Sequence, residues 1–201
     1  MKIKKFETKE DWLDGRKSKI TGSRLKDIVV KRGTGEKIAY YEIIAERICT
    51  LEEEENPMDR GTRLEQEGIE KLQDATGKEF DTSLVLWERE DNNAIAISPD
   101  GFNGSTIAAE IKCLSSAKHI ESYLTKKIPE EYTFQKLQYF IVNEELETLY
   151  FGFYDPRMPK KLELHYFVIE RKDVQEDVDM YLAYQKEKLE KIEEIITELT
   201  F

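Results

Sequence analysis

The chain has 201 residues, 39% of them hydrophobic, enough for one domain with a buried core and short for two. With only two cysteines and two histidines, it lacks the material for a disulfide framework, a zinc site or a histidine-rich metal centre, so a bound metal would be held by oxygen, which favours Mg2+ or Mn2+. The net charge of −11 is unevenly spread, because residues 1–41 carry 12 Lys and Arg against 6 Asp and Glu while the remainder carries 19 against 36, and phosphate contacts depend on local cations rather than on the total.

The opening Met1-Lys2-Ile3-Lys4-Lys5-Phe6 lacks the apolar stretch of a secretory signal, and no later run is long enough to span a bilayer, so a cytoplasmic protein is expected. Residues 9–16 and 22–31 read as helices, the second with Thr21 or Ser23 as its cap. Gly33-Thr34-Gly35 breaks the chain, and residues 37–51 place Ile38, Tyr41, Ile44, Ala45 and Ile48 at the spacing of a buried helix. Asn56-Pro57 marks a stop and a restart, and a helix over 58–76 ends at Gly77.

The period then changes. Residues 79–88, 93–98 and 106–113 are short and β-rich, with turn residues at Asp91-Asn92-Asn93 and Asn103-Gly104-Ser105, so 94–113 reads as a β-hairpin. Pro129 precedes a helix at 131–143, and 147–154 and 163–170 read as strands around Asp155-Pro156. Residues 173–199 form a long amphipathic helix with Leu189, Ile192, Ile196 and Leu199 on one stripe. The pattern is α+β, in an α/β/α-like arrangement: a central mixed sheet flanked by helices. A single domain is expected, with helices over 1–77, a sheet core over 78–171 and a C-terminal helix over 172–201.

The chemistry concentrates in Ser98-Pro99-Asp100-Gly101 and Glu110-Ile111-Lys112. Asp100 leaves one strand, while Glu110 and Lys112, two apart on the next, face the same side, and a hairpin brings Asp100 close to Glu110. Two carboxylates beside a lysine suit a hard divalent cation that lowers the pKa of a bound water and neutralises a phosphate oxygen. The spacing by itself equally describes a turn aspartate and a surface Glu–Lys pair. Two features add weight to a site: residues 106–113 are apolar on both faces, as in a central strand, and Glu65 shares a helical stripe with Gly68, Ile69 and Leu72. Gln138 likewise sits on the stripe of Phe134, Leu137 and Ile141. A boundary glutamate and a core glutamine satisfied by backbone are the structural alternatives.

Several blocks occur in an order that resembles the phage lambda exonuclease and YqaJ-type viral recombinase family of the PD-(D/E)xK nuclease superfamily. They are Trp12 to Arg16, Lys19 to Ser23, Arg60 to Glu65, Thr76-Gly77, Ser98 to Gly101, Glu110 to Cys113, Leu137 to Tyr139, Tyr154 to Met158 and His165 to Arg171. The resemblance implies a restriction-endonuclease-like core and a Mg2+-dependent 5′-to-3′ exonuclease that degrades one strand from duplex DNA ends and leaves 3′ single strands. It implies that Asp100, Glu110 and the Ile111 carbonyl bind one Mg2+ and that Glu65 holds a second, with Mn2+ able to substitute. Lys112 would orient the attacking water, Gln138 would support the lysine or the water, and Arg16, Ser23 and Ser98 would hold the 5′-phosphate. It further implies a ring-shaped homotrimer, a single-strand annealing partner, and a phage or prophage origin within a bacterial host. The chain departs from the family at Gly22, where alanine is usual, and at Lys136, which replaces the first glutamine of a Q-x-Q. Gln135 is a possible substitute. The stretch from Gly33 to Lys37 is shorter than in the family. A restriction-like endonuclease on the same core and a catalytically inactive DNA-end-binding module are the competing functions.

Overall fold

The structure, a computed structural model, describes residues 7–16, 19–20, 33, 35–50 and 57–200, with backbone only at residues 14 and 57–62. The helix expected over 22–31 and its cap lie outside the described residues. In chain order the elements are α1 (Lys9–Asp14), α2 (Ile38–Ile48), α3 (Pro57–Thr76), β1 (Trp87–Arg89), β2 (Asn92–Ile97), β3 (Gly101–Asn103), β4 (Ile107–Lys112), α4 (Ser116–Thr125), α5 (Thr133–Val142), β5 (Thr148–Tyr154), β6 (Leu164–Glu170) and α6 (Arg171–Thr200). They fall into two compact units, the first made of residues 1–54, 114–127 and 155–163, the second of 55–113, 128–154 and 164–201.

In the first unit, Thr8 caps α1 by accepting a hydrogen bond from the Asp11 amide at 3.0 Å. Tyr41 and Ala45 of α2 pack with Ala117 and Ile120 of α4 and with Met158, whereas Ile38 and Ile48, at the two ends of α2, are exposed. Asp155 is fully buried and satisfied on both oxygens: Arg157 donates from Nε at 2.7 Å and from Nη2 at 3.0 Å, and Ser116 Oγ donates at 2.7 Å. Burial works to raise the Asp155 pKa, but these donors outweigh it and hold the carboxyl below its usual value.

The second unit is built on a four-stranded mixed sheet of order β3-β4-β5-β6, with β4 and β5 parallel and both outer pairs antiparallel. β4 and β5 are central and almost wholly buried, as their apolar sequences require. One face of β4 presents Ala109 and Ile111 to Leu64, Ile69 and Leu72 of α3. That helix lies close because Gly68 has no side chain: a Cβ there would stand 2.6 Å from Ile111 Cγ2. α3 ends at Gly77 in the left-handed conformation, φ +68°, with its N–H on the Gln73 carbonyl at 2.8 Å.

The expected hairpin over 94–113 is displaced. β2 pairs with β1 in a separate two-stranded ribbon, and the hairpin on the main sheet is the shorter one from β3 to β4. Pro99 has no N–H to donate, which accounts for the interruption between β2 and β3. Most of 79–88 is irregular, with only Asp81, Trp87 and Glu88 engaged in β pairing. The C-terminal helix forms as expected, but among its apolar residues Val174 and Val178 are buried while Ile192, Ile196 and Leu199 are exposed.

Candidate active site

Three elements and one turn of the second unit bring the central residues together. Gly101 pairs with Ala109, so Asp100, one residue before β3, lies beside Glu110. The Ile111 amide donates to Asp100 Oδ2 at 2.7 Å and anchors it. Glu110 and Lys112 lie on the β4 face opposite α3, and Lys112 Nζ makes an ion pair with Glu110 Oε1. Glu65 of α3 is half-buried on the stripe of Gly68, Ile69 and Leu72, and its charge bears on both Asp100 and Lys112. Glu65, Ser98 and Asp100 line one open cleft of about 540 Å³, in which Ser98 is exposed.

The electrostatics follow from this crowding. Burial, then the neighbouring Glu110 and to a smaller degree Glu65, push the Asp100 carboxyl up to about 7, against the opposing pull of the Ile111 amide and Lys112. Burial alone would lower the Lys112 pKa, but Glu110, Asp100 and Glu65 reverse that and raise it, so the amine stays an ammonium. Burial and Glu110 also drive the Tyr139 phenol well above its usual value, so it remains a donor.

α5 supplies two partners of Glu110: Gln135, the possible substitute for the first glutamine of the Q-x-Q, and Tyr139, which has no role assigned from the sequence. Gln135 Nε2 donates to Glu110 Oε1 at 2.6 Å, and the Tyr139 hydroxyl donates to Glu110 Oε2. Gln138 does not reach Glu110 or Lys112. It donates to the Ala96 carbonyl at 3.3 Å and accepts from Gln185 of α6 at 2.7 Å. The reason is helical phase: positions 135 and 139 are four apart and share one face, which looks onto β4, while 138 is turned toward β2 and α6. That spacing, together with a buried phenol needing a partner, was a signal available in the sequence.

Among the described residues no group of three His, Cys, Asp or Glu side chains stands ready-made around one metal position. The donor chemistry nonetheless fits a hard divalent cation. Asp100 and Glu110 are hard oxygen donors side by side with one ammonium, the charge of Glu65 bears on both Asp100 and Lys112, and burial first, then Glu110 and Glu65, push the Asp100 carboxyl up to about 7. Of the residues expected at a 5′-phosphate, Ser98 is in this cleft, Arg16 belongs to the first unit with its guanidinium 4.4 Å over the Trp12 ring, and Ser23 lies outside the described residues.

A family model for the YqaJ-like viral recombinase domain matches residues 11–145. The structure is similar to the crystal structure of LHK-Exo in complex with dAMP, with a TM-score of 0.56 and 28% identity over 95% of this chain and 100% of that one. It is also similar to the crystal structure of the alkaline exonuclease LHK-Exo from Laribacter hongkongensis, with a TM-score of 0.55 and 27% identity over the same shares. No match is found among curated protein sequences.

Proposed function

The chain belongs to the YqaJ-like viral recombinase family, and from that membership we propose that it is a metal-dependent 5′-to-3′ exonuclease acting on duplex DNA ends. The observation that carries this reading is the conjunction, on one buried strand and its adjoining turn, of Asp100, Glu110 and Lys112 with Glu65 beside them. The similarity to an alkaline exonuclease supports it, and dAMP, held by that relative, is a mononucleotide, the unit that stepwise digestion releases.

Asp100, Glu110 and the Ile111 carbonyl would hold one Mg2+, Glu65 would hold a second together with Asp100, and Mn2+ can replace either. When bound, the ions supply charge for the phosphate oxygens and lower the pKa of a water. Lys112, kept as an ammonium by Glu110, donates a hydrogen bond: it orients the attacking water and offsets charge developing on the phosphoryl oxygens. Gln135 and Tyr139 hold the Glu110 carboxylate in one orientation, a role different from the support of the lysine or the water that the resemblance gives to Gln138. Water adds to phosphorus, one ester bond breaks, and the departing oxygen takes the proton. Arg16, Ser23 and Ser98 are assigned to the 5′-phosphate, where a guanidinium fork and hydroxyls suit the ligand.

The test is digestion of linear and covalently closed duplex DNA with Mg2+. Linear DNA should be consumed from its 5′ ends and closed circles left intact. Lys112→Ala should lose at least about a hundredfold in rate while still binding DNA, the scale of removing one preorganised donor. Arg16→Ala should narrow the preference for phosphorylated over hydroxyl ends. Cleavage of closed circles, or undiminished digestion by Lys112→Ala, overturns the reading.

A further inference from the structure

The cleft that holds Glu65, Ser98 and Asp100 has a wall that the proposed chemistry leaves unused. That wall is the irregular segment Thr82-Ser83-Leu84-Val85-Leu86. Leu84 is 103% exposed and Leu86 is 60% exposed. A single exposed leucine is ordinary, but two of them on one lip of an acidic cleft form a local apolar surface.

The segment is also anchored at both ends. Asp81 pairs with Phe102 through two backbone hydrogen bonds of 2.7 and 3.0 Å, and its side chain accepts the Ser83 amide at 2.8 Å. At the other end Trp87 pairs with Ile97 and packs edge-on against Phe102, ring centroids 5.7 Å apart. Ile97 and Phe102 bracket the turn from Ser98 to Gly101. The two leucines are therefore tethered to both sides of the turn that carries Asp100.

We propose that Leu84 and Leu86 form an apolar subsite that packs against a nucleobase of the strand whose phosphodiester lies at Asp100. The inference rests on the nuclease reading and adds to it. In a nucleotide engaged by its phosphate, the part with an apolar face is the base. Every base has such a face, so the contact tolerates any sequence. The subsite shares its cleft with Asp100, which makes the bound strand, rather than another protein, its occupant.

The experiment uses the full chain and the variant Leu84→Ser with Leu86→Ser, checked for unchanged melting because both side chains are exposed. On linear duplex with Mg2+, KM should rise about tenfold with kcat changed less than about twofold, the scale of losing the apolar burial of about one leucine side chain, and Leu84→Met with Leu86→Met should restore most of it. On a duplex with abasic terminal nucleotides, the unaltered protein should show the same rise and the serine variant no further rise. A second readout is binding of ends carrying 2-aminopurine, with Lys112→Ala present to prevent cutting. Emission should change on binding and should not do so with the serine substitutions. Wild-type kinetics in the serine variant, equal losses on intact and abasic ends, or an unaltered 2-aminopurine response would each overturn the subsite. Absence of nuclease activity in the unaltered protein would overturn the function instead, and the 2-aminopurine arm would still decide the contact.

Discussion

At the level of single residues, the site sets chemistry against stability. Asp100 is held mostly out of water, next to Glu110, and its carboxyl is pushed up to about 7. An acid whose folded pKa lies above its unfolded value favours the fold only while it is protonated. The contribution is present below about 4 and is lost as pH rises through about 7, so without divalent ions the ionised Asp100 weakens the protein at pH 8. Asp100→Asn keeps an acceptor for the Ile111 amide and removes the charge. In chelator at pH 8 the variant should be more stable than the unaltered protein by about 2–4 kcal/mol, a gap that narrows as the pH is lowered toward 4. Added Mg2+ should raise the melting temperature of the unaltered protein and leave that of the variant nearly where it was. Melting curves across pH, with and without Mg2+, measure this directly. Equal melting of the two proteins at pH 8 in chelator would remove the claim that Asp100 is electrostatically strained.

Among elements, the decisive packing is α3 on β4. Gly68 lets the helix approach Ile111, the residue whose amide holds Asp100, so helix position and site geometry are coupled through one side chain. Alanine ordinarily strengthens a helix by about 1 kcal/mol over glycine. Here the added Cβ would meet Ile111 Cγ2 at 2.6 Å and Tyr154 Cβ at 3.2 Å. Overpacking should win, and Gly68→Ala should cost about 1–3 kcal/mol in urea denaturation, partly recovered by Ile111→Val. A stabilised Gly68→Ala would show that the helix gives way freely. Much of this layer was legible beforehand: the stripe of Glu65, Gly68, Ile69 and Leu72 and the doubly apolar strand at 106–113 declare a helix packed on a central strand. What was not legible is tertiary. Whether β2 pairs forward with β4 or back with β1 depends on the break at Pro99, which periodicity does not register. Nor does a stripe drawn through Phe134, Leu137, Gln138 and Ile141 reveal that Gln135 and Tyr139 face Glu110 while Phe134 is 62% exposed. α4, left unassigned in the sequence, announces itself mainly by Ser115, whose side chain accepts the Lys118 amide at its N-terminus.

For the molecule as a whole, charge is divided between the two units. The first carries 19 Lys and Arg against 14 Asp and Glu, the second 12 against 28. A polyanion gains contact with the first unit and is repelled by the second except where cations intervene. Affinity for DNA should therefore fall steeply with monovalent salt while depending on Mg2+ for engagement of the second unit. Long digestion then needs a device other than raw affinity, and the ring trimer implied by the family resemblance is one, since a closed ring leaves its DNA only at an end. We expect light scattering to give about three times the 23.6 kDa of the chain. Once engaged on a labelled linear duplex, the protein should continue digesting after a large excess of unlabelled competitor is added, even at salt that abolishes fresh loading. A monomeric mass with digestion that stops on adding competitor would exclude the ring, and would leave the chemistry of Asp100, Glu110 and Lys112 to be judged by the rate of single encounters.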